Sequence, residues 1–467
     1  MNRRDFIKTT GIGALGALAG VSAMDLFAQL DPSGASTRGR RPNILVHLAD
    51  DLSWAHLGCA GDPAVKTPHI DRMAAEGVSF SNAFVSSATC TASRAAMLTG
   101  RNFWELDDGA NLAGTMPGKF AVYTSLLARA GYHVGRVKKG YGPGTTAGWK
   151  EWEGNPAGPK VRSFGAFLRD KPKDKPFVFW YGSTDPHRPY RRGSGARAGI
   201  PLDKIKLPPY WPDAPQVRGD VADYMAEVQT FDAQLGGMIK VLEKVGELDN
   251  TVIVVLGDNG MPFPRCKVDL YDYGTRCPLI VRWPGMVKAG RQVDDLVSYI
   301  DLAPTFLEIA GLKPHPEMTG KSILPLLSAA GSGTLDAGRD AVFFGCEGLA
   351  GNGRLWPTRG IRTQKHLYIR NFDPKGSAVL RTTNNSPTRN YMNANRNDPK
   401  VSAFWHRAYD PRPSEELYDV SKDPFQLTNV VSKPAYAGVR AKLAARLRKR
   451  MKETGDPRLE GRQPSNT

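Results

Sequence analysis

The stretch Ile44-Leu45-Val46-His47-Leu48-Ala49-Asp50-Asp51 joins an apolar run directly to two carboxylates. Nearly continuous apolar runs of this length are typical of strands that are covered on both faces of a parallel sheet. Ligands of such sheets bind beyond the carboxyl ends of the strands. The stretch therefore predicts an α/β sheet with Asp50 and Asp51 at its functional edge.

Three further stretches have the same plan, in which a strand pattern ends at polar residues. They are 132–137 before Lys138-Lys139-Gly140, 177–181 before Asp185-Pro186-His187, and 251–256 before Asp258-Asn259-Gly260. Helical patterns lie between the strands, at Ile70–Glu76, Thr91–Leu98, Phe120–Ala130 and Asp223–Val245. This alternation predicts a doubly wound, mostly parallel sheet flanked by helices, with the polar residues gathered at one edge.

The rest of the chain divides into a leader, a linker and a smaller second domain. Residues 1–28 are predicted to be a signal peptide, 29–41 a linker rich in Ser, Gly and Arg, and 42–312 the catalytic domain. After about residue 312, Pro and Gly become frequent. Short strand patterns at 341–344, 359–363 and 367–369, with a basic amphipathic helix at 435–451, predict an α+β subdomain over 313–457 and a tail at 458–467.

The leader carries a twin-arginine pattern, Arg3-Arg4-Asp5-Phe6-Ile7-Lys8, followed by a weakly apolar, Gly/Ala-rich stretch. A membrane span needs about 20 strongly apolar residues, so this stretch is too short and too rich in glycine for an anchor. Small residues up to Ala28 suit a cleavable signal instead. We therefore expect twin-arginine export to the periplasm or outside the cell, without stable membrane insertion.

The 467-residue chain has a formal net charge of +17, which favours an anionic partner. Nucleic acid, an acidic membrane and a sulfated or carboxylated polysaccharide all fit this charge, and the export pattern argues against nucleic acid. The chain has five cysteines without a CxxC pair or a Cys/His cluster, which argues against a zinc site. An odd number of cysteines in an exported chain indicates that at least one is unpaired or has a special role.

Cys90 lies at or near the start of a helical pattern that Gly100 ends. The exposed N–H groups and the dipole of a helix start favour anions, and Arg94 lies one turn further on the same face. A nucleophile, a fixed cation and the start of a helix together form a suitable binding site for a tetrahedral oxyanion. An isolated free cysteine is more often a buried structural residue, so the residues that follow Cys90 decide between the two interpretations.

Those residues, Cys90-Thr91-Ala92-Ser93-Arg94-Ala95-Ala96-Met97-Leu98-Thr99-Gly100-Arg101, resemble the signature of the type I sulfatases. That signature is Cys, any residue, Pro or Ala, Ser, Arg, three residues, then Leu-Thr-Gly-Arg. The resemblance implies an alkaline-phosphatase-like fold. It also implies that a maturation enzyme that recognises this segment oxidises Cys90 to formylglycine.

Two strand ends offer oxygen ligands for a metal. Asp50, Asp51, Asp258 and Asn259 supply three carboxylates and an amide, and hard oxygen ligands suit Ca²⁺ or Mg²⁺. Either pair alone would more often cap a turn. The resemblance implies that all four bind one divalent cation, usually calcium, next to the modified Cys90, which is counted among the metal ligands.

The resemblance assigns the remaining roles as well. Lys139 matches the sulfate-binding lysine, although Gly140 and Tyr141 stand where the family usually has Trp and His, and Lys138 stays open as the alternative. Lys267 matches a second sulfate-binding cation, and His187 matches the histidine that protonates the leaving group.

The mechanism that the resemblance implies begins with attack on sulfur by one hydroxyl of hydrated formylglycine. The metal, Arg94, Lys139 and Lys267 neutralise the sulfate oxygens, and His187 protonates the departing atom. The second hydroxyl then expels sulfate and restores the aldehyde.

Within the family, the segments 139–144, 183–190 and 258–265 look closest to the N-sulfoglucosamine sulfohydrolase branch, which implies a sulfated oligo- or polysaccharide substrate. Whether the bond cleaved is an O-sulfate or an N-sulfate stays open. Sugar-recognising residues are expected in the loops Arg188–Arg197, Gly351–Arg359 and Asn384–His406. Two alternatives remain: a phosphonate or phosphate-ester hydrolase of the same superfamily, and a non-catalytic binder of sulfated glycans.

Overall fold

The computed structural model describes residues 40–350, 354–374 and 385–465. The predicted signal peptide and residues 29–39 of the predicted linker lie outside the described residues. The strands are β1 (Asn43–Ala49), β2 (Val78–Phe84), β3 (Thr115–Pro117), β4 (His133–Lys138), β5 (Thr145–Ala147), β6 (Phe177–Gly182), β7 (Thr251–Gly257), β8 (Leu279–Arg282), β9 (Arg291–Ser298), β10 (Val342–Leu349), β11 (Arg354–Arg362), β12 (His366–Asn371) and β13 (Glu415–Asp419).

The α-helices are α1 (Pro68–Ala75), α2 (Cys90–Thr99), α3 (Tyr123–Arg129), α4 (Phe164–Asp170), α5 (Ser194–Arg197), α6 (Pro215–Lys244), α7 (Asp272–Thr275), α8 (Leu302–Ile309), α9 (Leu324–Ser328), α10 (Pro387–Ala394), α11 (Pro399–Tyr409) and α12 (Ala437–Glu453). Among the described residues, no helix combines the length and the apolar composition that crossing a membrane requires.

The central sheet has seven strands in the order β4-β6-β1-β7-β8-β2-β9. The four strands predicted from the sequence, β4, β6, β1 and β7, are adjacent and parallel. The strand β8 runs antiparallel to both of its neighbours, so that β2 again points the same way as β7. The predicted mostly parallel sheet is confirmed, and the carboxyl ends of β1, β2, β4, β6 and β7 share one edge.

Helices cover both faces of this sheet because successive side chains of each strand point to opposite faces. In β1, Ile44, Val46 and Leu48 pack with α2, α3 and α8, whereas Leu45 and Ala49 pack with α1, α4 and α6. All seven residues of β1 are buried. The two apolar layers fix the register of β1, and they thereby fix where Asp50 and Asp51 leave the sheet.

The smaller C-terminal unit is an antiparallel sheet in the order β10-β11-β12-β13. Leu443, Leu447 and Met451 of α12 cover one face of it. The other face packs against Val268 and Tyr271, in the segment that follows β7. The predicted α+β subdomain is confirmed, and its sheet supports the backbone on which Lys267 lies.

A buried ion cluster ties this sheet to the end of the chain. Arg359 is fully buried, with Nη2 2.5 Å from Glu347 Oε1 and Nε 2.6 Å from Asp456 Oδ2. Removing one partner of a buried ion pair leaves an uncompensated charge, so we expect Arg359→Ala to lower the free energy of unfolding by about 3 kcal/mol in urea denaturation. The exposed pair Arg440–Glu415 provides the control, because Arg440→Ala should leave the urea midpoint unchanged. Equal effects of the two substitutions would contradict this expectation.

Candidate active site

Cys90 is the first residue of α2 and follows an extended cap residue, Thr89. Its side chain is buried, and its Sγ lies 3.4 Å from Asp50 Oδ1 and 3.7 Å from Asp51 Oδ1. The strand β2 ends at Phe84, at the same edge of the sheet as β1, so the segment after β2 delivers α2 to the carboxylates. The predicted position of Cys90 at a helix start is confirmed.

The residues predicted as metal ligands come from the neighbouring strands β1 and β7 and lie together. Asp51 has a φ of 71°, a left-handed conformation that turns the chain immediately after β1. Its backbone N–H donates to Asp258 Oδ1 at 3.0 Å, and Asn259 Nδ2 donates to Asp51 Oδ1 at 2.7 Å. Asp50, Asp51 and Asp258 are almost completely buried.

Three cations face these three carboxylates. Lys139 Nζ lies 2.6 Å from Asp50 Oδ2, Lys267 Nζ lies 2.6 Å from Asp51 Oδ1, and Arg94 Nε lies 2.7 Å from Asp258 Oδ2. Lys267 Nζ is also 3.3 Å from the Cys90 sulfur. The Nη1 group of Arg94 donates to the carbonyl oxygens of Lys139 and Gly140, which holds the guanidinium in place.

The structure distinguishes the two adjacent lysines. Lys138 adopts a left-handed conformation with a φ of 56°, and its Nζ lies 3.4 Å from Asp185 Oδ2, whereas Lys139 reaches Asp50. Lys139 is therefore the lysine at the site, as predicted. Tyr141, at the position where the family usually has His, donates its hydroxyl to the carbonyl oxygen of Gly114 at 3.1 Å.

His187 completes the cluster from the turn after β6. Its Nε2 lies 3.8 Å from Asp51 Oδ2, and its Nδ1 is hydrogen-bonded to the carbonyl oxygen of Arg188. A carbonyl oxygen only accepts, so Nδ1 carries the proton of this bond and Nε2 faces the cluster. A proton donor to a bound substrate is therefore the imidazolium form of His187, in which Nε2 carries the second proton.

Burial and charge act against each other in these side chains. Burial alone would raise the pKa of Asp50 and of Asp51, but Lys139 and Arg94 beside Asp50, and Lys267 beside Asp51, hold both pKa values below their usual range. Burial would likewise lower the pKa of Lys267, but Asp51 and Asp50 raise it well above its usual value. The pKa of the Cys90 thiol is raised by burial, despite the opposing charges of Lys139 and Lys267. Asp50, Asp51 and Lys267 are therefore held ionised, whereas the Cys90 thiol is held neutral.

The residues fit a hard divalent cation. One potential ligand atom each of Asp50, Asp51, Cys90 and His187 lies within 4.8 Å of the others. Asp51 Oδ2 and Asn259 Oδ1 are buried and accept no hydrogen bond within the described ranges. Leaving a buried polar atom unsatisfied costs about 1–3 kcal/mol, which a ligand at this point would offset. Oxygen donors of this kind suit Ca²⁺ or Mg²⁺. Both carboxylate oxygens of Asp258, in contrast, already accept hydrogen bonds, from Asp51 and Arg94.

Comparison with protein families decides the identity of this site. The family model described as "Sulfatase" matches residues 42–152 and 161–312, more than half of the chain and every site residue named above. The chain belongs to the sulfatase family. The sulfatase is thus a sulfuric ester hydrolase, and the family predicted from the Cys90 segment is confirmed. A second model, the C-terminal region of N-sulphoglucosamine sulphohydrolase, matches residues 266–407.

Individual relatives extend this similarity over most of the chain. An ulvan-active sulfatase of Formosa agariphila is 30% identical over 90% of this chain and 82% of its own length. Human N-sulphoglucosamine sulphohydrolase is 28% identical, over 90% of this chain and 92% of its own. A solved structure of a protein in complex with its substrate D-glucosamine-2-N,6-O-disulfate matches with a TM-score of 0.67 at 22% identity, covering 89% of the sulfatase and 99% of that chain. The alkaline-phosphatase-like fold is confirmed.

Sequence reasoning missed how the His187 turn is held. Arg188 is buried and binds Asp220 of α6 through two hydrogen bonds of 2.7 and 2.9 Å, and its Nε donates to the carbonyl oxygen of Pro262. Asp220 Oδ2 also accepts the N–H and the hydroxyl of Thr388, the second residue of α10. Asp220 lies outside the helix predicted over 223–245, because α6 begins eight residues earlier, at Pro215.

The carbonyl oxygen of Arg188 is hydrogen-bonded to His187, so the position of Arg188 affects the position of the histidine. The substitution Arg188→Lys loses the bidentate ion pair with Asp220, and we expect it to lower kcat about 10-fold with a smaller change in KM. Steady-state kinetics on an aryl sulfate would measure both constants. Arg218, on the same helix, binds Asp213 just before the helix with similar geometry at an exposed position, so Arg218→Lys is the matched control. An unchanged kcat in Arg188→Lys would show that the pair does not position His187.

Proposed function

We propose that this sulfatase is exported by the twin-arginine route and removes sulfate groups from a sulfated glycan, with formylglycine at position 90 and a bound calcium ion. The observation that carries the proposal is the convergence of Lys139, Lys267 and Arg94 on residue 90 at the start of α2. Fixed cations and helix N–H groups stabilise negative charge that develops on a tetrahedral sulfuryl group. Formylglycine, when present and hydrated, supplies the hydroxyl nucleophile, and calcium supplies a Lewis acid.

The chain's own residues have distinct parts in this function. Lys267 Nζ and Lys139 Nζ lie at the rim of the carboxylate cluster, where they can bind the non-bridging oxygens of the substrate sulfate. Arg94, fully buried, keeps Asp258 and the carbonyl of Lys139 in place from beneath. His187, about one third exposed, can reach a leaving oxygen or nitrogen and donate a proton from Nε2.

A sulfated glycan is the substrate class that the similarities and the charge support. The relatives named above carry names for action on ulvan and on N-sulphoglucosamine, and the net charge of +17 raises the local concentration of polyanions. The O- or N-linkage of the sulfate is a matter for direct assay.

The test is sulfate release by the full chain, produced in its native host. N-sulfated heparin disaccharides, O-sulfated ulvan oligosaccharides, an aryl sulfate and an aryl phosphate should be compared at equal concentration. We expect release from at least one sulfated glycan and a large preference for aryl sulfate over aryl phosphate. Mass measurement of the peptide that contains residue 90 should show the aldehyde. The double substitution Arg3→Lys with Arg4→Lys should block export and retain the protein in the cytoplasm. A preference for phosphate, or an unmodified thiol in active enzyme, would refute the corresponding part of the proposal.

A further inference from the structure

Three exposed arginines follow His187 on one short segment. Arg191, Arg192 and Arg197 lie just before and within α5, and none of them forms an ion pair with a carboxylate in the part of the chain that the structure describes. The arginines that flank this segment behave differently, since Arg188 and Arg218 are each bound to an aspartate. The segment thus concentrates positive charge that the protein itself leaves unneutralised.

The segment is held rigidly to α6 by one buried carboxylate. Asp223 Oδ2 accepts the N–H of Gly193 at 2.9 Å, and Oδ1 accepts the N–H of Gly195 at 2.8 Å and the Ser194 hydroxyl at 3.3 Å. Gly195 has no room for a side chain, because a Cβ there would lie 2.4 Å from the backbone of Ala222. Asp223 therefore binds the backbone of the segment, and Arg197 Nη2 donates to the carbonyl oxygen of Arg192 at 3.2 Å, so no described carboxylate neutralises the three guanidinium groups.

The segment is close to the reacting centre. Arg191 is four residues beyond His187, so their Cα atoms are at most about 14 Å apart. The intervening Arg188 is fixed to Asp220, which sets the direction in which the chain leaves the site. An anionic group that Arg191 binds is therefore expected to lie on the substrate close to the sulfate at residue 90.

We propose that Arg191, Arg192 and Arg197 form a binding subsite for a second anionic group, a sulfate or a uronate carboxylate, on the sugar next to the one that loses its sulfate. This inference rests on the proposed function in taking the substrate to be a glycan. Guanidinium groups suit the role because they bind oxyanions with two parallel hydrogen bonds. The subsite would favour polyanionic substrates over isolated sulfate esters.

The test compares two variants. The triple variant carries Arg191→Ala, Arg192→Ala and Arg197→Ala together, and the control loses the same amount of charge elsewhere. The control, Arg169→Ala with Lys173→Ala and Lys175→Ala, removes three exposed cations before β6, at the opposite edge of the sheet. For each protein, kcat/KM is measured on sulfated heparin and ulvan oligosaccharides and on an aryl sulfate. Oligosaccharide binding is measured separately by calorimetry, at low and moderate salt, with Cys90→Ala added to each protein.

We divide kcat/KM for the oligosaccharide by kcat/KM for the aryl sulfate, and we expect this ratio to fall 10- to 100-fold in the triple variant but not in the control. The affinity of the triple variant for the oligosaccharide should fall about 10-fold. If the unmutated protein binds the oligosaccharide but releases no sulfate, and the triple variant loses this affinity, the subsite is supported and the proposed function is refuted. An unchanged ratio and unchanged affinity, with sulfate release intact, would overturn the subsite alone. Absence of both binding and sulfate release in the unmutated protein would overturn both.

Discussion

Replacing Cys90 with alanine is expected to lower kcat/KM for sulfate release at least about 1,000-fold, because the substitution removes the atom from which the proposed nucleophile is made. The remaining site would still bind sulfate through Lys139 and Lys267, so KM should change much less than kcat. The fold should persist, since a methyl group replaces a small buried thiol, and the melting temperature should shift by less than about 4 °C. Sulfate release by ion chromatography and thermal unfolding by circular dichroism measure the two effects.

A second buried cysteine provides the control for losing a thiol from the protein interior. Cys277 follows α7 and is buried, and its backbone N–H donates to the carbonyl oxygen of Ala83 in β2. Its thiol lies near Asp258 and Asp51 but forms no hydrogen bond with either of these described residues. Cys277→Ala should keep kcat/KM within about threefold of the unmutated enzyme while costing a similar amount of stability. If Cys90→Ala retained full activity, residue 90 could not be the source of the nucleophile.

The strands at the centre of the seven-stranded sheet were predicted correctly because each is indicated by the apolar pattern of its own residues. The strands β1, β6 and β7 are apolar on both faces, and each ends at a polar group, so periodicity and spacing alone indicated their direction and common edge. The strands β2, β3, β5, β8, β9 and β13 were not predicted. The strands β2 and β13 mix buried with partly buried positions, and β8 is buried throughout but has only four residues, so the apolar signal of each is weak.

The candidate site was predictable where its residues lie next to strand ends or within one helical turn. Asp50, Cys90 and Asp258 are of this kind, and the structure brings them together. Asp220 and Asp223 were not predicted as partners of the His187 segment. They lie 28 to 32 residues from Gly195 and Arg188 in the chain, and no local pattern links a carboxylate on α6 to that segment. Such pairings follow only from the packing of α6 on the sheet.

The arrangement of charge explains why a metal ion is compatible with this site although three carboxylates already face three cations. Without a further cation, the cluster is close to neutral and has no net attraction for a sulfate ester. A bound divalent cation would leave the cluster positive by two charges, which suits an anionic substrate. The unsatisfied oxygens of Asp51 and Asn259 point to the same conclusion from hydrogen bonding alone.

Removal of divalent cations with a chelator is therefore expected to lower the melting temperature by several degrees, and calcium should restore it. A ligand that binds only the folded state stabilises it by about 4 kcal/mol at a free concentration 1,000 times its Kd. Asp51→Asn should abolish this calcium-dependent rise and reduce kcat/KM about 1,000-fold, because the substitution removes a charged ligand and leaves the buried Lys267 unpaired. Differential scanning calorimetry with and without calcium measures the rise independently of activity.

The control for Asp51→Asn is another buried aspartate that is bound to a cation away from the site. Asp301 is buried, and its Oδ2 lies 2.8 Å from Arg339 Nη1. Asp301→Asn should lower the melting temperature because it breaks a buried ion pair, yet it should keep the full rise on addition of calcium. The two substitutions therefore separate loss of a buried charge from loss of a metal ligand. The melting temperature of Asp51→Asn could instead rise with calcium as much as that of the unmutated enzyme. The ion would then be bound without Asp51, and the assignment of this cluster as the metal site would be wrong.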